Sequence, residues 1–479
     1  MNPREPLLPP PWPESGRFVP RTFVQPVLQF MRYEAAGGIF MIMGAVAAII
    51  WANSSFGDTY FDVLNTHIEI TFGGFKFHHL SELTVQEWIN DVLMVIFFFV
   101  VGLEIKRELV IGELRDPRAA ALPAVAALGG MVLPALIYTA FNAGTEASGG
   151  WAIPMATDIA FAVGVVSMAG RRVPIGAKLF LLALAIVDDL GAILVIALFY
   201  TDELAFGWLV GAVVGLLVMY AMQRGGIRSS LSYLILGIGI WLAVLESGIH
   251  ATVAGVAIAF ITPVRSYFDP SKFVPRATTV VDRIGEYLPP DKQVALDDHR
   301  TMARVSVLLE DLKRLSHETI SPLDRLEQIL SPWASYVVVP LFALANAGVV
   351  LDAGSLGSLA TQPVTLGVAV GLLVGKVVGV VGAAWLAVRL GLGRLPAATT
   401  WHHMIGVGFL AGIGFTVALF VAALSFTDPT LADSAKLGIF AASLVAGLVG
   451  FLWLRYTGTD PDTDQTDEHL GATDQASRA

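Results

Sequence analysis

The sequence contains no cysteine among its 479 residues. That absence excludes disulfide bonds and thiolate metal sites, and it leaves the redox compartment undetermined. Charged residues are also scarce, at 15% of the chain, whereas soluble domains carry about 25%. Because 55% of the residues are hydrophobic and the mean hydropathy is +0.68, we interpret the chain as an all-α, multi-pass membrane protein.

Apolar runs are missing at both ends of the chain. The first 25 residues are rich in proline and have no compact apolar stretch before a cleavage site, so we expect 1–31 to be a disordered cytoplasmic tail rather than a signal peptide. The net charge of −10 points to no nucleic-acid partner. Six of the acidic residues fall in 457–479, which we expect to be a second disordered tail.

Between the tails, in 32–456, apolar runs approach the roughly 20 residues that a membrane-spanning helix needs. We expect about twelve spanning helices, although two of the runs are short. The predicted spans are 35–52, 87–106, 119–141, 151–169, 177–200, 205–222, 231–246, 249–262, 333–351, 364–388, 401–424 and 436–454.

Lysine and arginine gather in alternate loops, after every second predicted span, and the opposite loops around 202–203, 246–247, 352–362 and 427–433 hold none. The positive-inside rule therefore predicts that both termini are cytoplasmic. Two longer segments lie between spans. We expect 53–86 to be an external loop with a hairpin at Gly73–Gly74. We expect 264–331 to be a cytoplasmic loop, whose helical spacing in 305–330 breaks at Ser321–Pro322 and which separates eight spans from four.

Few ionisable residues fall inside the predicted spans, and such residues usually face a bundle interior or an ion pathway. Asp188 and Asp189 are adjacent in the run LLALAIVDDL. At a separation of about 6 Å and an effective dielectric of about 20, two carboxylates repel by roughly 2.8 kcal/mol. Each therefore needs a proton or a cation, and competition between the two predicts proton–cation exchange. These residues include Asp91, Glu104, Asp158, Asp188, Asp189, His250 and Lys376.

Lys376 lies in the middle of the span 364–388, in the run LLVGKVVGV. We expect it to pair with Asp188 or Asp189, or to offset the charge at helix ends. The simpler interpretation is a lysine whose side chain reaches the membrane boundary. Its central position argues against that interpretation.

Two spans are interrupted by residues that break helices. Pro154, Thr157 and Asp158 interrupt WAIPMATDIAFAVG, and glycines interrupt GVGFLAGIGFT at 406–416. Paired broken segments indicate a transport site, because the ends of the half-helices supply dipoles and carbonyl oxygens. Glycines that only allow close helix packing are the alternative explanation.

Together with WINDVLMVIFFFVVGLEIKREL, AIVDDLGAI, SGIHATVAG, GLLVGKVVG and GIGFTVALF, these segments strongly resemble the NhaA family of sodium–proton antiporters over about 32–456, apart from an insert near 266–318. The family is itself a known case of the broken-segment pattern, so the two observations are not independent. The resemblance implies inverted-topology repeats and two discontinuous crossing helices. It further implies electrogenic export of sodium or lithium driven by protons, with no cofactor, by a homodimer in the plasma (inner) membrane. The external hairpin would lie at the dimer contact.

The resemblance also implies roles for individual residues. Asp189 would be the main carboxylate for the transported cation and proton, and Asp188 beside it would pair with Lys376. Thr157 and Asp158 would border the cation where the broken helices cross, and Asp91 would support the site.

The family's cytoplasmic pH-response cluster is only partly present. Glu104, Arg107, Glu108 and Glu327 stand where the family pattern has them. Asp324, Gln328 and Ser331 occupy positions where that pattern has basic or histidine residues. Because histidine changes charge near neutral pH, these differences put the pH profile in question.

Two other functions would also use these residues. A membrane-embedded aspartyl hydrolase needs two carboxylates, but they must face each other from separate helices, and neighbours on one helix point about 100° apart. A sodium symporter would take up an organic solute instead of moving protons.

Overall fold

Helices in this chain begin where a proline or a capping side chain follows a break. Pro117, Pro322, Pro363 and Pro429 each occupy the first turn of a helix, where a missing N–H costs nothing. The computed structural model describes residues 36–68, 83–201, 204–227, 229–288, 299–350, 357 and 361–457. Within these ranges all extended regular structure is helical, and the only β contact is the isolated bridge between His67 and Thr84.

Sixteen α-helices are named here in chain order, with short internal turns of other types included in the longer ones. They are α1 (Ala36–Ala52), α2 (Gly57–Leu64), α3 (Val85–Val110), α4 (Pro117–Asn142), α5 (Ile159–Met168), α6 (Ile175–Phe199), α7 (Phe206–Arg224), α8 (Ser230–Leu245), α9 (Thr252–Ile261), α10 (Phe273–Tyr287), α11 (His299–Thr319), α12 (Pro322–Asn346), α13 (Pro363–Arg389), α14 (Trp401–Ala411), α15 (Phe415–Ser425) and α16 (Pro429–Thr457). A 3-10 helix, Glu146–Met155, precedes α5.

Seven of these helices are long and apolar enough to cross a membrane, or up to ten spans if each of three bent pairs counts as one. The all-α membrane fold is thus supported. The shorter apolar helices, Leu231–Leu245 and Thr252–Ile261, fall on the two short predicted spans. The number twelve stays a prediction. The predicted hairpin at Gly73–Gly74 and both predicted tails lie outside the described residues, apart from Thr457.

The segment from the end of α9 to α12 differs from one prediction and agrees with another. α12 begins at Pro322, not at 333, because the Ser321 hydroxyl caps it by accepting a hydrogen bond from the Asp324 N–H at 3.0 Å. The break at Ser321–Pro322 is confirmed, since α11 ends at Thr319. Helices α10 and α11 of the insert pack against each other.

The helices pack in two groups. In one group α4 packs on α6, on α13 and on the 3-10 helix, and α16 packs on α13 and α14. In the other, α1 packs on α12, α3 on α9, and α7 on α8. Contacts between the groups are fewer. α4 and α13 approach each other closely, since a Cβ added at Gly379 would lie 2.2 Å from the Gly129 carbonyl oxygen.

Candidate functional site

Two helix breaks meet inside the first packing group. The 3-10 helix Glu146–Met155 and α5 diverge by 43°, as do α14 and α15. The backbone N–H of Asp158 donates to the Ile413 carbonyl at 2.6 Å, and the Thr157 hydroxyl donates to the Ala411 carbonyl at 2.8 Å. Each break therefore satisfies polar backbone groups that the other leaves without an intrahelical partner.

Asp158 joins the two breaks through its side chain. One carboxylate oxygen accepts from the Phe161 N–H at 3.0 Å and so caps α5. The other accepts from the Thr416 N–H at 3.1 Å and from the Thr416 hydroxyl at 2.7 Å, in the first turn of α15. A carboxylate at the N-terminus of a helix is stabilised by the free N–H groups there. Asp158 therefore serves the N-terminal ends of two half-helices at once.

Lys376 forms a fully buried ion pair with Asp188. Its Nζ lies 2.6 Å from an Asp188 oxygen, and both side chains are 0% exposed. The same ammonium donates to the Thr157 hydroxyl at 3.1 Å. This burial is inconsistent with a lysine that reaches the membrane boundary.

The packing of α13 against α4 explains how Lys376 becomes buried. A π-helical turn, Gly371–Gly375, directly precedes it. A Cβ added at Gly375 would lie 2.9 Å from the Cα of Pro134, and one added at Gly130 would lie 4.0 Å from the Lys376 Nζ. Glycine at these positions lets the two backbones approach closely enough to enclose the lysine.

Asp189 lies beside the ion pair and is 5% exposed. Its Oδ1 has no hydrogen-bond partner in the described part of the chain. The carboxyl is close enough to interact electrostatically with Asp188, Asp158, Glu104 and Lys376. Burying a charge is costly unless it is paired, so an Asp189 carboxylate favours binding of a proton or a cation.

A cavity of about 790 Å³ lies between the end of α3, the start of α4 and the first half of α6. Its lining includes Glu108, Leu182 and Ala183. Leu182 precedes Asp189 by seven residues, which is about two helical turns, so both lie on nearly the same face of α6. The cavity therefore adjoins the helix face that carries Asp189, about 10 Å along α6 from that residue, which is not among the lining residues.

Of the four residues of the predicted pH-response cluster, Glu108 lines that cavity. Arg107 pairs with Glu327 across α3 and α12 at 2.6 Å, with 36% and 18% of the side chains exposed. Glu104 interacts electrostatically with Arg107, Glu108 and Glu327. A Glu108 oxygen accepts from the Glu113 N–H at 3.1 Å.

Asp91 lies in a π-helical turn of α3, Ile89–Leu93, and its carbonyl accepts from the Trp241 indole at 3.4 Å. Its neighbour Asn90 belongs to a buried amide pair that the sequence analysis missed. Asn346 donates to Asn90 at 2.8 Å and accepts from it at 3.3 Å. A search for uncharged amides inside apolar runs, as well as acids, would have found both residues.

No three His, Asp or Glu side chains within the described ranges are grouped as a metal-binding cluster.

Comparison with known proteins gives one consistent result. The family model described as Na+/H+ antiporter 1 matches residues 28–454. A Na(+)/H(+) antiporter NhaA of Syntrophobacter fumaroxidans is 44% identical over 91% of both chains. Another, of Sulfurimonas denitrificans, is 45% identical over 90% of this chain and 95% of its own.

Proposed function

Because the chain belongs to the Na+/H+ antiporter 1 family, we propose that it is a secondary active antiporter that exchanges sodium or lithium for protons. The resemblance to NhaA proteins is confirmed by their identity over most of the chain. The observation that carries the proposal is the buried Asp189 carboxyl, which has no ion pair in the described part of the chain, beside an aspartate that binds Lys376 through one of its oxygens.

The two aspartates have different proposed roles, because Asp188 is paired with a cationic side chain and Asp189 is not. Asp188 is held by the Lys376 ammonium at 2.6 Å, which offsets its negative charge. Asp189 has no such counter-charge bonded to it, so its charge is compensated by a proton or by a cation. Because one carboxylate serves both, binding of sodium releases a proton and binding of a proton releases sodium. We assign Asp189 as the carrier and Asp188 as its paired neighbour.

Polar groups at the helix breaks complete the proposed site. Thr157 is bonded to both Lys376 and the Ala411 carbonyl, so it ties the ion pair to α14. Asp158 fixes the start of α15 through Thr416. In this proposal the broken segments are the discontinuous crossing helices of an inverted repeat, and they border the transported ion. Asp91 supports the site from α3.

Exchange further requires that Asp189 face each side of the membrane in turn. The two packing groups supply the elements for such a movement, because contacts within each group exceed those between them. The 790 Å³ cavity gives the side from which the site would be reached in this conformation. On the positive-inside topology that side is the cytoplasm, where sodium would load for export.

We further propose that transport is electrogenic and regulated by pH, and that the protein is a homodimer in the inner membrane with both termini cytoplasmic. The Arg107–Glu327 pair and its acidic neighbours Glu104 and Glu108 are the proposed pH-response residues. They support regulation because protonation of a half-buried carboxyl would remove its attraction for Arg107.

Sodium-driven proton flux in proteoliposomes tests the proposal. With a pH dye trapped inside, a pulse of sodium or lithium on one side should produce proton movement across a series of pH values, without any organic solute. Proton movement that is absent at every pH, or that requires an added solute, would contradict antiport and favour symport.

A further inference from the structure

An apolar groove of about 420 Å³ runs between α13, α14 and α16, away from the aspartates. Four residues of α13 (Val377, Val378, Val381 and Gly382) form one wall, and Ile405, Phe409 and Trp453 form the other. The one polar atom among these side chains, the Trp453 indole nitrogen, already donates to the His402 carbonyl at 2.9 Å. The groove therefore offers only apolar contacts.

Arginines lie beyond one end of this groove. On α13, Val378, Gly382, Trp385 and Arg389 follow one another at spacings of three or four residues, so they share a face of the helix. The Arg389 guanidinium lies 4.7 Å from the centre of the Trp385 ring. At a rise of 1.5 Å per residue, Arg389 is about 10 Å along the helix from Gly382.

Two further arginines lie at the same end of the bundle but not on the groove. Arg455 follows Trp453 by two residues on α16, so the two side chains lie on nearly opposite faces of the helix, and the Arg455 guanidinium lies 6.0 Å from the centre of the Phe451 ring. The Arg455 carbonyl accepts from an Arg172 guanidinium nitrogen at 2.8 Å. No aspartate or glutamate occurs anywhere in 363–427. In the described part of the chain, none of Arg172, Arg389 and Arg455 forms an ion pair with a carboxylate. This end of the groove is therefore cationic.

An apolar channel with cationic groups at one end is complementary to an anionic amphiphile. Arginine binds phosphate through parallel N–H donors, and its stacking on an aromatic ring leaves those donors free. α13 and α16 are candidate membrane spans, so lipid is the amphiphile that surrounds them. We propose that this groove binds one anionic phospholipid, with an acyl chain in the groove and the phosphate on Arg389.

The position of the groove gives the bound lipid a structural consequence. Val377 lies in its wall and directly follows Lys376, while Phe409 lies three residues before the break at Gly412. A lipid in the groove would contact both helices and hold α13 against α14. Its binding would thus stabilise the folded transporter whether or not the proposed ion exchange is correct.

Thermal unfolding of the purified protein in a neutral detergent provides the test. Phosphatidylglycerol should raise the melting temperature in a saturable way, and more than phosphatidylcholine with the same chains. Arg389→Gln should weaken the apparent affinity for phosphatidylglycerol at least tenfold and remove the difference between the lipids, whereas Arg455→Gln, on the opposite face of α16 from Trp453, should not. Arg224→Gln is the matched control, because Arg224 also stacks on an aromatic ring, 5.3 Å from the centre of Tyr220, but adjoins no such groove.

A second variant tests the apolar part of the groove. A Cβ added at Gly382 meets no heavy atom within 4 Å, so Gly382→Phe should fill the groove without strain in the fold and weaken phosphatidylglycerol binding. Gly211→Phe, at an equally open glycine on α7, should leave binding unchanged. Equal stabilisation by both lipids, unchanged affinity in Arg389→Gln or in Gly382→Phe, or full stabilisation by soluble glycerol phosphate would each overturn the proposal.

Discussion

Replacing Lys376 with methionine should destabilise the protein, because it leaves the buried Asp188 carboxylate without its ion-pair partner. The substitution keeps most of the apolar stem of the side chain but removes the ammonium that lies 2.6 Å from Asp188 and 3.1 Å from the Thr157 hydroxyl. Asp188 is fully buried, so no solvent can replace the lost partner. The carboxyl must then either remain charged without compensation or bind a proton.

Removing one partner of a buried ion pair costs about 3–5 kcal/mol of folding free energy. The unfolding entropy near the melting temperature is about 2.1 cal/mol/K per residue, or roughly 0.8 kcal/mol/K for some 400 ordered residues. We therefore expect the melting temperature of Lys376→Met to fall by about 4–6 °C. The double variant Asp188→Asn with Lys376→Met removes both charges, and its coupling energy should return about 2 kcal/mol or more of the loss.

Tryptophan fluorescence during thermal unfolding in detergent provides the measurement, since the chain has 10 tryptophans. Lys106→Met is the matched control, because in the described part of the chain Lys106 donates to the Phe260 and Thr262 carbonyls and to no carboxylate. It should cost much less than Lys376→Met. A Lys376→Met variant as stable as the control, or a double variant whose loss equals the sum of the two single losses, would refute this account of the pair.

Three further substitutions test the packing and the polar contacts through the same melting temperature. Gly379→Ala should destabilise the protein by about 1–3 kcal/mol, because the added Cβ would clash with the α4 backbone. Gly382→Ala should be neutral or slightly stabilising, because a Cβ added there has no heavy atom within 4 Å. Equal effects of the two substitutions would contradict the close approach of α4 and α13. Asp158→Ala should cost about 2–4 kcal/mol, since α5 loses its cap and Thr416 loses its acceptor, and a loss below 1 kcal/mol would show that these bonds are unimportant. Arg107→Gln should change stability by no more than about 1 kcal/mol, because the Arg107–Glu327 pair is partly exposed. The same substitution should shift the pH profile of proton flux. An unchanged profile would show that Arg107 takes no part in the pH response.

The sequence predicts the helices well because membrane spans are defined by a local property, the length of an apolar run. The predicted span 364–388 becomes α13 at Pro363–Arg389, and 177–200 becomes α6 at Ile175–Phe199. Both helix breaks were also predictable, because proline and glycine act on the backbone locally. The start of α12 was not, since a polar first turn capped by Ser321 carries no apolar signal.

Contacts between residues that are distant in the sequence were harder to predict than the helices in which those residues lie. Burial of Lys376 was expected from its place in an apolar run, but its choice of Asp188 over Asp189 rested on family resemblance alone. That choice depends on how α13 packs on α4 through Gly375 and Gly379, which no local pattern records. The bonds from Asp158 to Thr416 join residues 258 positions apart.

Asp189→Asn, tested in everted membrane vesicles with a pH-sensitive dye, addresses the central claim most directly. An asparagine side chain has nearly the same shape, but it can neither release a proton nor offer a charged oxygen to sodium. The account predicts that sodium-dependent recovery of dye fluorescence is abolished in this variant, while the protein remains folded and present in the membrane. Sodium-dependent recovery equal to that of the unmodified protein would contradict the assignment of Asp189 as the carrier.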